Sequence, residues 1–159
     1  MNRFFILLML VSVTTFAQSK KNLRANSIKS KLTQKIVTID GSQKKINDEY
    51  EEYDKHGNLI LKIEYNKEGN LKEKTSYKYD KFNKLSEELN VDEKEGKITK
   101  TTFYYDALNN KIKEVVVDKE GNKLKVIEYK YEKNLKSERR EYDENQNLKS
   151  LKVYTYQYF

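Results

Sequence analysis

His56 is the only histidine in this 159-residue chain, and the chain contains no cysteine. A lone imidazole acts as a base or a metal ligand only beside a partner that orients it or completes a ligand set. His56 stands between Lys55 and Gly57 with no second histidine or thiol in the sequence, so it reads as a solvated turn residue. Paired carboxylates are the next candidates, because two converging carboxyl groups can share the work of general acid and base. Glu51–Glu52 and Glu87–Glu88 are adjacent, however, and on a strand neighbours point to opposite faces. The stretch DENQN, Asp143–Asn147, echoes the first alternating ligands of a calcium loop. It then has Leu148 where such a loop needs glycine and Tyr154 where it needs glutamate. No phosphate-binding loop, dinucleotide fingerprint or serine elbow is present. The residue types therefore predict no catalytic residue, no metal site and no cofactor, and a protein that is not an enzyme.

Tyrosine is the remaining chemical signal. All thirteen tyrosines lie between Tyr50 and Tyr158. An aromatic ring with a hydroxyl stacks on sugars or anchors a protein interface. The same ring also suits a thin sheet, with its body packed and its hydroxyl at the rim. The residues singled out for a binding surface are Tyr77, Tyr79, Phe103, Tyr105, Tyr129 and Tyr131.

The elements that must position these rings follow from an internal repeat. YDKHGNL at Tyr53 returns as YNKEGNL at Tyr65. Residues heading such clusters are Ile39, Tyr53, Tyr65, Tyr79, Val91, Tyr105, Val117, Tyr131 and Tyr142, at steps that alternate between 14 and 12 until a last step of 11. The unit is thus 26 residues long and holds two turns. All five glycines fall in these clusters, and Asn83, Asn109, Asn110, Asn134 and Asn147 take the same place elsewhere. Glycine and asparagine accept a positive φ, and an Asp or Asn head can bond the backbone two residues on. Between turns the chain alternates. LILKIEY sets Leu59, Leu61, Ile63 and Tyr65 on one side, and LKEKTSYKY sets Leu71, Thr75, Tyr77 and Tyr79 on one side. Period-two alternation rich in Tyr, Val, Ile and Thr predicts strands.

The expected fold is all-β: an antiparallel meander of about ten strands from Leu32 onward, built from 26-residue double-hairpin repeats. One apolar face and one Lys/Glu face are expected, the sheet curling on itself or closing into an open barrel, with homodimerisation as another way to cover the apolar face. In segments whose first apolar residue comes one place late, at Ile98 and Leu124, a bulge near the turn would restore the face.

The start of the chain reads differently. Arg3 precedes the apolar run Phe4–Val13, and Thr15 and Ala17 are the small residues of a cleavage site. This predicts a signal peptide over 1–17 and an exported protein, periplasmic, at the outer surface or secreted. The run is shorter than the ~20 residues that span a bilayer. A basic arm over 18–38 and a repeat domain over 39–159 follow. The seven basic residues of positions 1–38 meet no acid there and account for the whole net charge of +7. Such an arm can attract polyanions or anionic lipid, or serve as a leader that partly joins the first strand. The repeat region has no basic surplus, which argues against nucleic acid. The end, VYTYQYF, looks like an outer-membrane strand, but Tyr154, Tyr156 and Tyr158 are out of phase with Phe159, and 36% charge leaves no lipid-facing band.

YDKHGNL, YDKFNKL and YDALNNKI, with VDKEGN as a second turn, resemble the tyrosine–aspartate (YD) repeats of Rhs and teneurin-type proteins over about Tyr53–Leu148. The resemblance implies β-hairpin strips, and in some members shells around a toxin or extracellular modules with proposed carbohydrate binding. The function expected is an exported, non-catalytic module that binds protein or glycan in the cell envelope. The alternatives are an envelope polysaccharide hydrolase and an immunity or chaperone-like partner of a secreted toxin.

Overall fold

Seven of the chain reversals are closed by the residue that heads them, Asp54, Asn66, Asp80, Asp92, Asp106, Asp118 and Asp143. Asp54 Oδ1 accepts the N–H of His56 (2.8 Å) and of Asn58 (2.9 Å), while the Asp54 N–H donates to the Asn58 carbonyl and the Gly57 N–H to the Asp54 carbonyl. The same pattern recurs at Asn66, Asp80, Asp106 and Asp143. The third residue after the head has positive φ: Gly57, Gly69, Asn83, Asn109, Gly121 and Gln146. Asn58, Asn110, Asn122 and Asn147 do a different job, donating their side-chain amides back to the head carboxylate. Asn110 and Asn147, expected at the positive-φ position, sit one place later, and Gln146 takes the strained conformation in the last turn. Lys133 and Asn134, both with positive φ, form the shortened turn.

The structure, a computed structural model, describes residues 20–39 and 41–159; the leader expected over 1–17 lies outside the described residues. A short helix α1 (Lys20–Ala25) is followed by strands β1 (Ser30–Ile39), β2 (Ser42–Tyr53), β3 (Leu59–Tyr65), β4 (Leu71–Tyr79), β5 (Leu85–Asp92), β6 (Lys97–Tyr105), β7 (Lys111–Asp118), β8 (Lys123–Glu132), β9 (Leu135–Asp143) and β10 (Leu148–Val153). The ten strands form one antiparallel sheet in meander order, as the repeat predicts. The sheet is not closed: β1 and β10 are its two edges. Residues 30–38 of the basic arm are part of β1, fully paired with β2. The aromatic end of the chain is not a closing strand. It leaves the sheet after Val153, held by the Tyr154 N–H on the Ser137 carbonyl at 3.0 Å.

The expectation of one apolar and one charged face fails, and the register shows why. Directly paired residues share a face. Leu61 pairs Ser76, Ser76 pairs Leu89, Leu89 pairs Lys100 and Lys100 pairs Val117. Tyr77 pairs Glu88, Glu88 pairs Thr101, and Thr101 pairs Val116. Tyr77 and Ser76 are neighbours, so these two rows lie on opposite faces. Leu61, Ile63, Leu89, Val91, Val115, Val117 and Val126 thus share an aliphatic face, and Tyr77, Phe103, Val116, Ile127 and Tyr129 an aromatic one. Over β3 to β6, apart from the Val91–Ile98 pair, apolar strands alternate on each face with charged or polar ones, whereas Val115 and Val126 of β7 and β8 pair directly. With no second layer above, an apolar side chain is covered laterally by the stems of Lys and Glu on the neighbouring strands. Among the described residues no side chain falls below 2% exposure, and Tyr53, Val116, Val126 and Ile127 are the buried apolar positions of the sheet.

A bulge follows most turns, always displacing the second or third residue of the new strand. Ile60, Lys72, Ser86, Ile112, Leu124, Ser137 and Lys149 are the extra residues. The bulge expected at Leu124 is present. At Ile98 it is absent: Ile98 pairs Val91 without a shift, and the turn headed by Asp92 holds the extra residue instead, with Gly96 as its positive-φ position.

Candidate functional site

All six candidate residues sit on the aromatic face, on β4, β6 and β8, and all are half-buried. The structure separates them into two rows with different chemistry. Tyr79, Tyr105 and Tyr131 donate their hydroxyls to the carbonyls of Leu59 (2.9 Å), Leu85 (2.9 Å) and Lys111 (3.0 Å), each 20 residues earlier. Tyr156 repeats the bond to Lys136 at 2.7 Å. Each phenol reaches the strand that begins just after the preceding turn, so it ties one hairpin to the next. These hydroxyls are structural. Burial, with Asp54 nearby, pushes the Tyr79 phenol up to about 12.

Two residues earlier runs the second row, Tyr77, Phe103 and Tyr129. Because the strands slip by two residues at every repeat, Tyr77 lies level with Thr101 rather than Phe103. Two residues along a strand and two strands across place successive members of this row about 12 Å apart on a diagonal. Between them stand charged partners in register: Glu88 beside Tyr77, Glu114 beside Phe103 and Arg139 beside Tyr129. The Tyr129 hydroxyl donates to Glu114 Oε1 at 2.6 Å, and Lys111 Nζ lies 2.5 Å from the same oxygen. Burial would raise Glu114, but Lys111 and the Tyr129 hydroxyl outweigh it and hold the carboxyl below its ordinary value. The Tyr129 phenol is pushed up to about 12 by burial and by Glu114. Glu88 has no side-chain hydrogen bond or ion pair among the described residues. Burial, then the charges of Glu114 and Glu73, raises it.

Lysines lie over the rings. Lys111 Nζ is 5.2 Å from the Phe103 centroid and 5.3 Å from that of Tyr129, and Lys136 Nζ is 4.4 Å from Tyr129. At exposed sites such contacts are worth about 0.5–1 kcal/mol, little enough for a ligand to displace. Beyond the rings the same face opens into a shallow polar groove of ≈ 470 Å³, lined in part by Asn90, Thr99, Thr101, Glu114 and Lys125. Sequence reasoning missed the groove residues. They are threonines, asparagines and charges that carry no signal of their own until register brings them together.

The other candidate groups are accounted for locally. The His56 N–H serves the Asp54 turn, and the Asp143 carboxylate is occupied by the N–H groups of Asn145 (3.0 Å) and Asn147 (2.8 Å), which leaves DENQN a self-bonded turn. Among the described residues no cluster of three or more His, Cys, Asp or Glu is arranged to hold a metal ion. Glu87 faces away from Glu88 and pairs with Lys78 at 2.6 Å. Among the described residues no helix is long and apolar enough to cross a membrane. No known protein family matches the chain, and no curated protein matches it.

Proposed function

We propose that this protein is a non-catalytic binding module, exported to the cell envelope, that lays a protein or glycan along the aromatic face of its sheet. The observation that carries the reading is the diagonal row of Tyr77, Phe103 and Tyr129, equivalent positions of successive repeats, with Glu88, Glu114 and Arg139 in register beside them. Ring faces supply apolar contact and the intervening charges supply oriented hydrogen bonds, the combination that binding surfaces use. A ligand with its own linear repeat, such as a polymer, would meet the same contact at each unit. Export rests on the leader read in the sequence, and the tyrosine–aspartate repeat resemblance is consistent with an extracellular module.

The two rows make the test specific. Tyr77→Ala with Tyr129→Ala should weaken binding on a glycan array or in a pull-down from envelope extract by about tenfold or more. Tyr79→Phe with Tyr105→Phe should lower the melting temperature and leave binding within about twofold. Equal binding by the wild type and the Tyr77/Tyr129 variant would remove the aromatic face from the function.

A further inference from the structure

The fold distributes the cations of the basic arm unequally. Lys31 pairs with Glu49 (3.5 Å) and Glu51, and Lys35 with Asp48 (2.5 Å), so both are neutralised inside the β1–β2 hairpin. Lys20, Lys21 and Arg24, on α1, have no ion-pair partner among the described residues. Helix α1 lies hard against the turn headed by Asp54, between β2 and β3. A Cβ at Gly57 would come within 2.7 Å of the Lys20 carbonyl oxygen, and Leu23 is buried beneath the helix.

This docking gathers Lys20, Lys21 and Arg24 of the helix with His56 of one turn and Asn83 of the next around a cavity of ≈ 550 Å³. No carboxylate lines it. The acids of the two turns are Asp54 and Asp80. Asp54 is occupied by the N–H groups of His56 and Asn58 and by the Asn58 amide, and Asp80 by the N–H groups of Phe82 and Lys84. Lys55 and Lys81 in those turns offset their charge.

We propose that this concavity binds a phosphate-type oxyanion, held by Lys20, Lys21 and Arg24 with the His56 ring as a fourth donor. Three cations around one concavity suit a doubly charged group better than a single carboxylate. A guanidinium offers two parallel donors to neighbouring oxygens, while lysines act as point charges. Two sources share this chemistry: the phosphate of an anionic lipid at a membrane surface, and a soluble phosphorylated sugar or polymer. The site is at the turn end of the sheet, apart from the aromatic face, and does not depend on the function proposed for that face.

The single histidine supplies a direct readout. The purified, tag-free protein is titrated with pyrophosphate at low ionic strength, where screening is weakest, and the His56 ring resonances are followed by NMR. A saturable shift is expected. Lys21→Gln with Arg24→Gln should weaken it roughly tenfold or more. Lys149→Gln with Lys152→Gln removes the same charge from β10 and should leave it within about twofold. Gly57→Ala, which displaces α1 without changing charge, should also weaken it. Flotation with phosphatidylglycerol vesicles, against phosphatidylcholine vesicles, separates the sources: co-flotation that needs Lys21 and Arg24 assigns a lipid phosphate, and pyrophosphate binding without it assigns a soluble one. The absence of a saturable shift, or equal weakening by both charge-removing pairs, overturns the site.

Discussion

Both ends of the sheet carry turns headed by Asp or Asn, yet only one end is laced together. At the end that carries the turns headed by Asp54, Asp80 and Asp106, phenols of Tyr79, Tyr105 and Tyr131 reach back to the preceding hairpin, the Asn58 amide bonds Asn83 of the next turn, and α1 docks on top. At the other end, Asn66, Asp92, Asp118 and Asp143 close their own turns just as well. The residues in the tyrosine's place there are Tyr65, Val91, Val117 and Tyr142, and among the described residues no side-chain hydrogen bond joins one of these turns to the next. Closing a hairpin and tying hairpins to one another are thus separate tasks. The Asx head performs the first at both ends, and tyrosine performs the second at one. That division is why the true period is 26 residues and not half of it.

The sharpest contrast between the ends lies in two glycines. Gly57 (φ 74°) and Gly121 (φ 90°) both occupy the left-handed region, where a side chain costs about 1–2 kcal/mol. An added Cβ at Gly121 meets open space, whereas at Gly57 it collides with the backbone of α1. Displacing α1 also uncovers Leu23, worth about 1.5–3 kcal/mol. Gly57→Ala should therefore destabilise by about 3 kcal/mol in urea unfolding and Gly121→Ala by about 1 kcal/mol. Equal losses would mean that α1 adds nothing to the laced end.

A smaller contrast isolates the lacing itself. Tyr105→Phe removes one hydroxyl from the Leu85 carbonyl and should cost about 1 kcal/mol. The hydroxyl of Tyr65, at the corresponding place of the other end, has no hydrogen-bond partner among the described residues, and Tyr65→Phe should leave the unfolding midpoint unchanged. A matching loss at both positions would show that ring packing, not the hydroxyl bond, distinguishes the ends.

The strands, the turns and their two-beat rhythm are legible because they depend on local chemistry: Asp54 bonds its own backbone, Gly57 supplies its own φ, and LKEKTSYKY alternates by itself. What depends on pairing is not legible. The aliphatic residues of β3 and the aromatic residues of β4 each alternate cleanly, but nothing in either segment says which side of the neighbouring strand it will share. Bulges and turn length settle that, and they put Leu61 and Tyr77 on opposite faces. The candidate rings were visible as a set, since tyrosine recurs at the turn heads. Their split into a row of hydroxyls that tie hairpins and a second row two residues earlier was not, because the bond from Tyr79 to Leu59 crosses between hairpins. The basic arm showed its charge but not its helix, whose docking depends on the absence of a side chain at Gly57, far along the chain.

The smallest effect belongs to the middle of the sheet, between the two ends, where neither device reaches. Glu88 is raised by burial and then by Glu114 and Glu73. A carboxyl raised in the folded state favours folding most when protonated, so its contribution is complete at pH below the ordinary carboxylate value and is lost as pH rises through the folded one. The Asx heads have the opposite sign. Asp54 and Asp106 are held low, Asp54 against burial by the Asn58 amide and backbone N–H groups, and Asp106 first by the Asn110 amide, and their contribution is lost as pH falls. Glu88→Gln should therefore raise the melting temperature at pH 7 by about 1–2 °C, a modest figure because the group is half open to solvent. At pH 3 the difference should vanish, since both side chains are then neutral, while both proteins have lost the contribution of the aspartates. A gain that persists at pH 3 would assign the effect to packing. A loss at pH 7 would mean that the Glu88 charge is satisfied after all, and that the mid-sheet is held as tightly as the laced end.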